Sequence, residues 1–455
     1  MAELIGFERV HVVGIGGYGM SGLAKLLAQS GAIVSGSDLK PSRASESLIE
    51  LGVTSWVGHR PQAIADVDLV VASSAVPAAD PELAAAAAAS VPVWQRPRLL
   101  NEITKTMPAV GFTGTHGKTT SSAMAVAAWR AMGEDPSFMV GGDLSDLNTN
   151  AHLGDRSLFL LEADEAFGTF LELHLNGLAI TGVEADHLDH YQTMGALEDA
   201  FAAVASNVAG PVVACIDDAG ARRLFDRVGC LTWGTSPDAD WVIDAVQHGP
   251  WQVRFRLTRG SYSVDVEVPK PGLHVARDAA GVLALAAELG YDPAEGARGL
   301  KDFAGVRRRF EVRARVGGIT IVDDYAHHPT EITAVLSAAR LGSWANVWAV
   351  FQPHRYSRTA ELAGAFGTAL AASDAVVVTD VYGAGEVPVP GVTGRLVAVA
   401  ARDAGGRRVE YHPNRRDLAK RLAELAADGD LVLLMGAGDI TGTADELAAM
   451  LEGTP

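Results

Sequence analysis

The chain has little of several things, and each shortage excludes something. Cysteine is nearly absent: of 455 residues only Cys215 and Cys230 carry a thiol. Two thiols are too few for a disulfide framework or a cysteine metal site, so both are expected as small buried hydrophobes in a reducing compartment. Positive charge is short as well, with 37 Lys and Arg against 55 Asp and Glu, a net charge of −18 and a pI near 5.1. Phosphate backbones and anionic membranes demand a basic surface, so no nucleic acid and no membrane is expected as a partner. Any anionic ligand must instead be held by local devices such as helix N-termini and a few arginines or lysines. Long apolar runs are missing too. The longest weakly polar tract, Leu83–Ala89, is far short of the ~20 residues that span a bilayer. An export signal is not expected, because residues 1–9 carry two glutamates and Val10–Ile15 reads as a buried strand. A cytoplasmic protein is the expectation.

What the chain does have is core-forming material: hydrophobic residues make up 48% and charged residues 20%. At roughly 100–200 residues per domain, the length allows two to four domains. Val10–Ile15, Ala32–Ser37 and Leu69–Ser73 read as strands, with helical spacing over Gly19–Gln29 and Ser45–Leu51 between them. Such alternation predicts a parallel sheet covered on both faces. A boundary falls near Thr104–Pro108. Ala109–Thr113, Leu158–Glu162, Leu178–Gly182 and Pro211–Ile216 continue the pattern, with a helix from Thr119 to about Met132. Trp241–Val268 alternates in places (Trp251, Val253, Phe255, Leu257), which predicts a small antiparallel annex. A helix over Ala276–Leu289 follows, and Gly305–Arg309 marks a second boundary. Ile319–Val322, Val347–Phe351, Ala375–Thr379 and Leu431–Met435 are the strands of a last α/β unit. The expected domains are therefore 1–104, 105–306 and 307–455.

The first glycine loop, Gly14-Ile-Gly16-Gly17-Tyr-Gly19, fits G-x-G-x-x-G directly after a strand and before a helix. Glycines there let the backbone approach a diphosphate, whose charge rests on the amides and dipole of the helix. Asp38 closes the next strand at a distance suited to a ribose hydroxyl. NAD is one reading, another nucleotide diphosphate is a second, and close packing alone is a third. Ser73 and Ser74, where the third strand ends, would add hydroxyls to the same cradle.

The second loop, Gly114-Thr115-His116-Gly117-Lys118-Thr119-Thr120, carries more chemistry. It lacks the outer glycine of the full P-loop pattern, because Phe112 stands there. The mechanics survive: amides of Thr115–Lys118 wrap phosphates, Lys118 reaches the β/γ-phosphates, and Thr119 or Thr120 offers a hydroxyl to Mg²⁺. ATP or GTP is the expected ligand. Two acidic groups close strands in the same segment: Glu162-Ala-Asp164-Glu165, and Glu184-Ala-Asp186-His187-Leu-Asp189-His190. Each alone reads as a solvated loop, and together they point to a metal beside phosphates. In the last third, Asp323-Asp324-Tyr325-Ala-His327-His328 and Gln352-Pro-His354-Arg355-Tyr-Ser-Arg358 follow strands, where open α/β sheets bind ligands. On a helix, Arg355 and Arg358 would share a face and hold a carboxylate. Arg307, Arg308 and Arg309 lie at the second boundary, either as a phosphate clamp or as a basic linker.

Taken together, GIGGYGM, SSAV, GTHGKTT, EADE, VEADHLDHY, RRRFE, DDYAHHPTEI, FQPHRYSRT and GAGDI resemble, in order and over almost the whole chain, the Mur ligases of peptidoglycan synthesis, most closely the alanine-adding branch. The resemblance implies an α/β protein of three domains in series: a Rossmann-like N-terminal domain for the UDP-sugar, a P-loop central domain with the annex for ATP and Mg²⁺, and a Rossmann-like C-terminal domain for the amino acid. UDP-N-acetylmuramate and L-alanine would be the substrates, with Mn²⁺ as an alternative metal. Lys118 would be the phosphate lysine. Glu162 and His187 would be metal-associated, together with Thr119. Arg308, Arg309, Asp278 and Asp324 would attend the nucleotide, and His327, His354, Arg355 and Arg358 the amino acid.

Three departures stand out. The family's His-Asn-x-x-Asn segment reads His274-Val275-Ala-Arg277-Asp278, so both amides are lost; Asp278 could still accept a ribose hydrogen bond, and Val275 cannot. Ala166-Phe167 replaces the Ser-Asp that usually follows EADE. No lysine occurs in residues 119–269, so the carbamylated lysine used by several sister ligases has no counterpart there. A ligase that attaches a preformed peptide to the same sugar, and a ligase-like nucleotide-binding protein without this activity, are the alternatives.

Overall fold

The computed structural model describes residues 4–453, apart from the side chains of Arg43, Phe167 and Asp189. The first sheet is built from β1 (Arg9–Val13), β2 (Ile33–Asp38), β3 (Thr54–Val57), β4 (Leu69–Ala72) and β5 (Val93–Gln95), in the order β3-β2-β1-β4-β5. All of its pairings are parallel. β1 and β4 are buried almost throughout, which is why they read as short continuous apolar runs. The edge strands β3 and β5 are three or four residues long and partly exposed; without such a run they escape pattern reading.

The second sheet has ten strands. They are β6 (Ala109–Thr113), β7 (Ser137–Leu144), β8 (Thr149–His152), β9 (Phe159–Glu162), β10 (Gly177–Ile180), β11 (Val212–Cys215), β12 (Leu231–Gly234), β13 (Trp241–His248), β14 (Val253–Arg259) and β15 (Tyr262–Val268). Their order is β15-β14-β13-β12-β11-β10-β6-β9-β7-β8. The hairpin β7–β8 is new relative to the sequence reading, because its Gly141-Gly142 pair and polar tip interrupt any apolar alternation. The annex is present as β13–β15, with Val253, Phe255 and Leu257 buried in alternation. Trp251 lies before the strand and packs on Phe310 and Trp344 instead.

The third sheet comprises β16 (Glu311–Val316), β17 (Ile319–Asp324), β18 (Val347–Phe351), β19 (Ala375–Val378), β20 (Val409–Tyr411) and β21 (Leu431–Met435), ordered β16-β17-β21-β18-β19-β20. Only the β16–β17 pair is antiparallel.

By compactness the described chain divides into two units. One holds Met1–Ala245, Phe255–Val266 and Arg277–Ala304; the other holds Val246–Arg254, Glu267–Ala276 and Gly305–Pro455. Within the first unit one apolar cluster runs through both sheets, from Leu23 and Leu27 to Met139, Ala151 and Phe159. Lys25, only 4% exposed, ties the helix Tyr18–Gln29 to β8 by donating to Thr149 Oγ1 at 3.1 Å and Asn150 Oδ1 at 2.9 Å. Among the described residues no helix is long and apolar enough to cross a membrane.

Candidate functional site

β6 is fully buried and hands the chain to a tight loop, which opens the helix Lys118–Ala131. Gly117 caps that helix at φ 81°, a left-handed conformation favouring glycine, and a Cβ there would come within 2.6 Å of Asp278 Oδ1. Thr115 Oγ1 locks the loop against the next strand end, donating to Glu184 O at 3.1 Å and accepting from Glu184 N at 2.8 Å. His116 Nε2 lies 2.9 Å from Glu184 Oε2. Thr120 follows in the first helical turn.

Lys118 folds back over the loop. Its Nζ donates to Gly114 O at 2.7 Å, Thr115 O at 3.3 Å and Glu165 Oε1 at 2.8 Å. Burial by itself would favour the neutral amine, yet the carboxylates of Glu165, Asp164 and Glu162 outweigh it and raise the Lys118 pKa. Lys118 and Arg96, against the opposing effect of burial, hold Asp164 below its ordinary value.

The two acidic groups divide differently from the sequence grouping. Glu162, at the end of β9, accepts from Thr119 Oγ1 at 2.8 Å and from Gly141 N at 2.9 Å through Oε2. His187 instead joins Asp164 and Glu165, and the three offer ligand atoms all within 4.8 Å of one another. His187 has φ 55°, and its amide is held by Asp186 Oδ1 at 2.8 Å. A non-glycine residue kept in that region marks a segment whose surroundings over-determine it. Tyr191 Oη donates to Glu165 O at 2.6 Å. Asp189, also in this acidic segment, lies outside the described side chains. Asp164 and Glu165, already part of the acidic group seen in the sequence, thus stand in the site, and Gly141 joins them; for Gly141 the only signal was a glycine pair.

At the first loop, Gly17 caps the helix Tyr18–Gln29. Asp38 Oδ2 accepts from Gly16 N at 2.9 Å, and Oδ1 accepts from Lys40 N at 3.2 Å. Asp38 therefore braces the glycine loop itself. Ser73 lies against Gly14, its Cβ 3.1 Å from where a Gly14 side chain would begin, and Ser74 is exposed.

Downstream of Asp217 a cleft of about 430 Å³ is lined by Ile216, Asp217, Ala219, Arg222, Thr235 and Arg277. Arg277 Nε donates to Asp217 Oδ2 at 2.8 Å, and the same carboxylate holds the Thr235 amide and hydroxyl at 2.9 Å. Of the altered family segment, Val275 is buried, at 5% exposure.

In the second unit, β17 ends in two buried aspartates. Asp324 accepts from Phe310 N and Ala326 N, each at 2.7 Å, and burial, offset in part by Arg309, pushes its pKa up to about 6. Asp323 accepts from Thr441 Oγ1 at 2.5 Å. Arg308, at φ 59°, reaches Gly436 O at 2.5 Å, and the guanidinium carbons of Arg308 and Arg309 lie 4.9 and 5.1 Å from the Tyr325 ring centre. His327 and His354 meet edge to face at 5.9 Å, and His354 stacks on Tyr382 at 5.8 Å. Burial pushes both histidines down to about 4, reinforced by Arg358. Arg355 stands apart from the sequence expectation. It is the cap of the helix Tyr356–Leu370, at φ 72°, and donates to Glu386 Oε1 at 2.6 Å, so it shares no helical face with Arg358.

A P-loop lysine held among strand-end carboxylates, in a unit that also carries a glycine loop on a separate parallel sheet, defines a nucleotide-dependent group-transfer enzyme. The comparisons with known proteins narrow the class. Residues 9–107 match the Mur ligase family catalytic domain, 112–286 the Mur ligase middle domain, and 308–438 the Mur ligase glutamate ligase domain. The chain is 41% identical over 453 residues to UDP-N-acetylmuramate–L-alanine ligase of Myxococcus xanthus, covering 98% of this chain and 96% of that protein. It is 42% identical over 449 residues to the enzyme of the same name from Clavibacter michiganensis, covering 98% and 94%. Among solved structures, UDP-N-acetylmuramate-alanine ligase MurC from Thermotoga maritima superposes with a TM-score of 0.86 at 28% identity, covering 98% of this chain and 100% of that one. The chain belongs to the Mur ligase family.

Proposed function

We propose that this chain is an ATP-dependent ligase that joins the lactyl carboxylate of UDP-N-acetylmuramate to L-alanine in cytoplasmic peptidoglycan precursor synthesis. The observation that carries the reading is Lys118, an ammonium kept charged by three carboxylates at the mouth of a phosphate-binding turn. The lactyl carboxylate oxygen attacks the γ-phosphorus of ATP and ADP leaves, giving an acyl phosphate. The amine of alanine then attacks the carbonyl carbon, a proton is lost from nitrogen, and inorganic phosphate departs as the amide forms. Neither step needs a covalent protein intermediate. Each needs reactants held in line and negative charge neutralised.

Lys118 and the amides of Gly114–Thr119 are assigned to the β- and γ-phosphates. The glycine loop Gly14–Gly19, with Ser73, is assigned to the UDP diphosphate. Asp278, against Gly117, is assigned to the ATP side of the P-loop. In the second unit Arg308, Arg309 and Asp324 are assigned to the nucleotide, and Arg358 to the amino-acid carboxylate. His327 and His354, kept neutral, line that subsite without adding charge, and Arg355 braces it through Glu386. The oxygen donors suit a hard divalent cation: Thr119 Oγ1 and Glu162 Oε2 lie together, and the buried Glu165 Oε2 has no hydrogen-bond partner. Thr119, Glu162 and His187 would hold Mg²⁺, or Mn²⁺ in its place, which when bound neutralises phosphate charge.

The test is phosphate release from ATP in the presence of UDP-N-acetylmuramate and each candidate amino acid or peptide. Release that depends on L-alanine is expected. Release that depends only on a preformed peptide would reassign the substrate, and none with any acceptor or metal would refute the reading.

A further inference from the structure

The turn that presents the arginines of the second unit is strained. Arg308 and Phe310 have φ 59° and 44°, a region that residues with a side chain rarely adopt. Two such residues in one turn persist only where the surroundings over-determine them. Four hydrogen bonds hold the turn from within residues 306–325. Arg308 N donates to Glu311 Oε2 at 2.9 Å, and Tyr325 N donates to Arg308 O at 2.7 Å. Arg309 N donates to Val306 O at 3.1 Å, and Phe310 N donates to Asp324 Oδ2 at 2.7 Å. Another bond comes from elsewhere: Lys270, 40 residues before Phe310, donates from Nζ to the Phe310 carbonyl at 3.4 Å. Its place is made by Gly305, at φ 98°, where a Cβ would lie 2.5 Å from Lys270 Cε and 2.6 Å from Nζ. Burial pulls the Lys270 pKa below its ordinary value, against the opposing effect of Glu311 and Asp324. Those are the two carboxylates that accept the Arg308 and Phe310 amides. A lysine kept only for packing would carry its ammonium out to water. Lys270 instead brings its charge to the carbonyl and to both carboxylate anchors of one strained turn.

We propose that Lys270 is a positioning residue for this turn: it fixes the Phe310 carbonyl and offsets the charge of Glu311 and Asp324, so that Arg308 and Arg309 are held where the nucleotide meets them. The inference rests on the proposed assignment of Arg308, Arg309 and Asp324 to the nucleotide, and it deepens it by naming the group that keeps them in place. Lys270 itself is assigned to no reactant and acts through the turn. Asp324 also feels Arg309, which favours its charged form, and Glu331, which disfavours it. Removing the Lys270 ammonium therefore takes away one of the cations that keep Asp324 ionised and able to accept the Phe310 amide.

The experiment is steady-state kinetics of the full chain, Lys270→Met and Lys270→Arg from pH 5 to 9, with ATP, UDP-N-acetylmuramate and L-alanine each varied in turn. Lys270→Met is expected to raise KM for ATP roughly tenfold, because the arginines lose their fixed geometry. KM for UDP-N-acetylmuramate should stay within about twofold of the parent. The acid limb of kcat/KM for ATP should move up by about half a pH unit, as Asp324 takes a proton more readily without its neighbouring cation. Lys270→Arg, which keeps the charge, should return the acid limb to the parent position and recover most of the ATP affinity. An unchanged KM for ATP and an unchanged acid limb in Lys270→Met would overturn the inference. Equal losses toward all three substrates with a lower melting temperature and no shift of the acid limb would reduce Lys270 to a structural residue and overturn it too. If the parent chain shows no ATP-dependent turnover, the proposed function itself fails, and this inference with it; a parent that turns over beside an unaltered Lys270→Met refutes the inference alone.

Discussion

The P-loop region of the first unit and the β17–β18 strand ends of the second solve opposite electrostatic problems. Around Lys118 the protein gathers three carboxylates on one ammonium and keeps the ammonium charged. Around His327 and His354 it half-buries two imidazoles beside Arg358 and keeps them neutral. The difference suits the ligands proposed for the two places. A polyphosphate demands a fixed cation, and a fixed cation at low dielectric needs counter-charges when the phosphate is elsewhere. An amino acid brings both charges itself, so a neutral lining with a few arginines suffices.

The sharpest way to break this contrast is Lys118→Ala. Turnover of ATP should fall by roughly a thousandfold or more, since positioning and charge neutralisation supply most of such catalysis. The variant also leaves Glu165 and Asp164 buried without their counter-charge, so unfolding free energy should drop by about 3–5 kcal/mol. Adding Glu165→Gln should restore much of the stability and none of the turnover. UDP-sugar binding should stay nearly intact, and its loss would contradict the division of ligands between the two glycine loops.

A subtler break is Gly141→Ala. A Cβ at Gly141 would collide with Glu162 Oε2, the oxygen that Gly141 N and Thr119 now hold. Displacing that carboxylate should cost roughly ten- to hundredfold in turnover, with a raised Mg²⁺ requirement in metal-dependent kinetics. Unchanged metal dependence would remove Glu162 from the metal site.

The smallest effect tests the neutral side. His327 and His354 titrate near 4 in the fold against a reference of 6.5, so between these values the unfolded chain binds more protons. Their contribution to stability is complete above pH 6.5 and is lost as pH falls toward 4. Asp324, raised to about 6 from 3.8, works in the opposite sense, stabilising in acid and losing that contribution as pH rises through 6. Replacing each histidine with Phe should flatten the acid-side decline by up to about 1.4 kcal/mol per pH unit, read by urea unfolding from pH 4 to 7. Parallel slopes in parent and variants would show that the histidines are protonated in the fold.

Much of this was legible in the sequence because catalytic groups in α/β proteins sit just past strand ends, next to apolar runs that are easy to see. Gly114–Thr120 follows a buried β-strand, Glu162 and Asp324 close two others, and the three-sheet α/β architecture followed from the same runs. What escaped reading is what depends on distant partners or on local backbone. Glu386, which takes Arg355, lies in a loop of glycine and proline with no periodicity. Arg355 itself was expected on a helix, and only its positive φ shows it to be the cap. Asp38 fitted a ribose contact by spacing; that its carboxylate also holds Gly16 N depends on the loop's backbone and was not legible. Strands β3, β5 and β20 are too short and too exposed to carry a hydrophobic signature.

The central claim is that the sugar's carboxylate is activated as an acyl phosphate in this chain, and oxygen tracing tests it most directly. UDP-N-acetylmuramate carrying ¹⁸O in the lactyl carboxylate would be converted with ATP and L-alanine, and the products examined by mass spectrometry. The account predicts that one labelled oxygen leaves with inorganic phosphate and that ADP carries none. Label in AMP, or phosphate free of label beside a fully labelled amide, would contradict it.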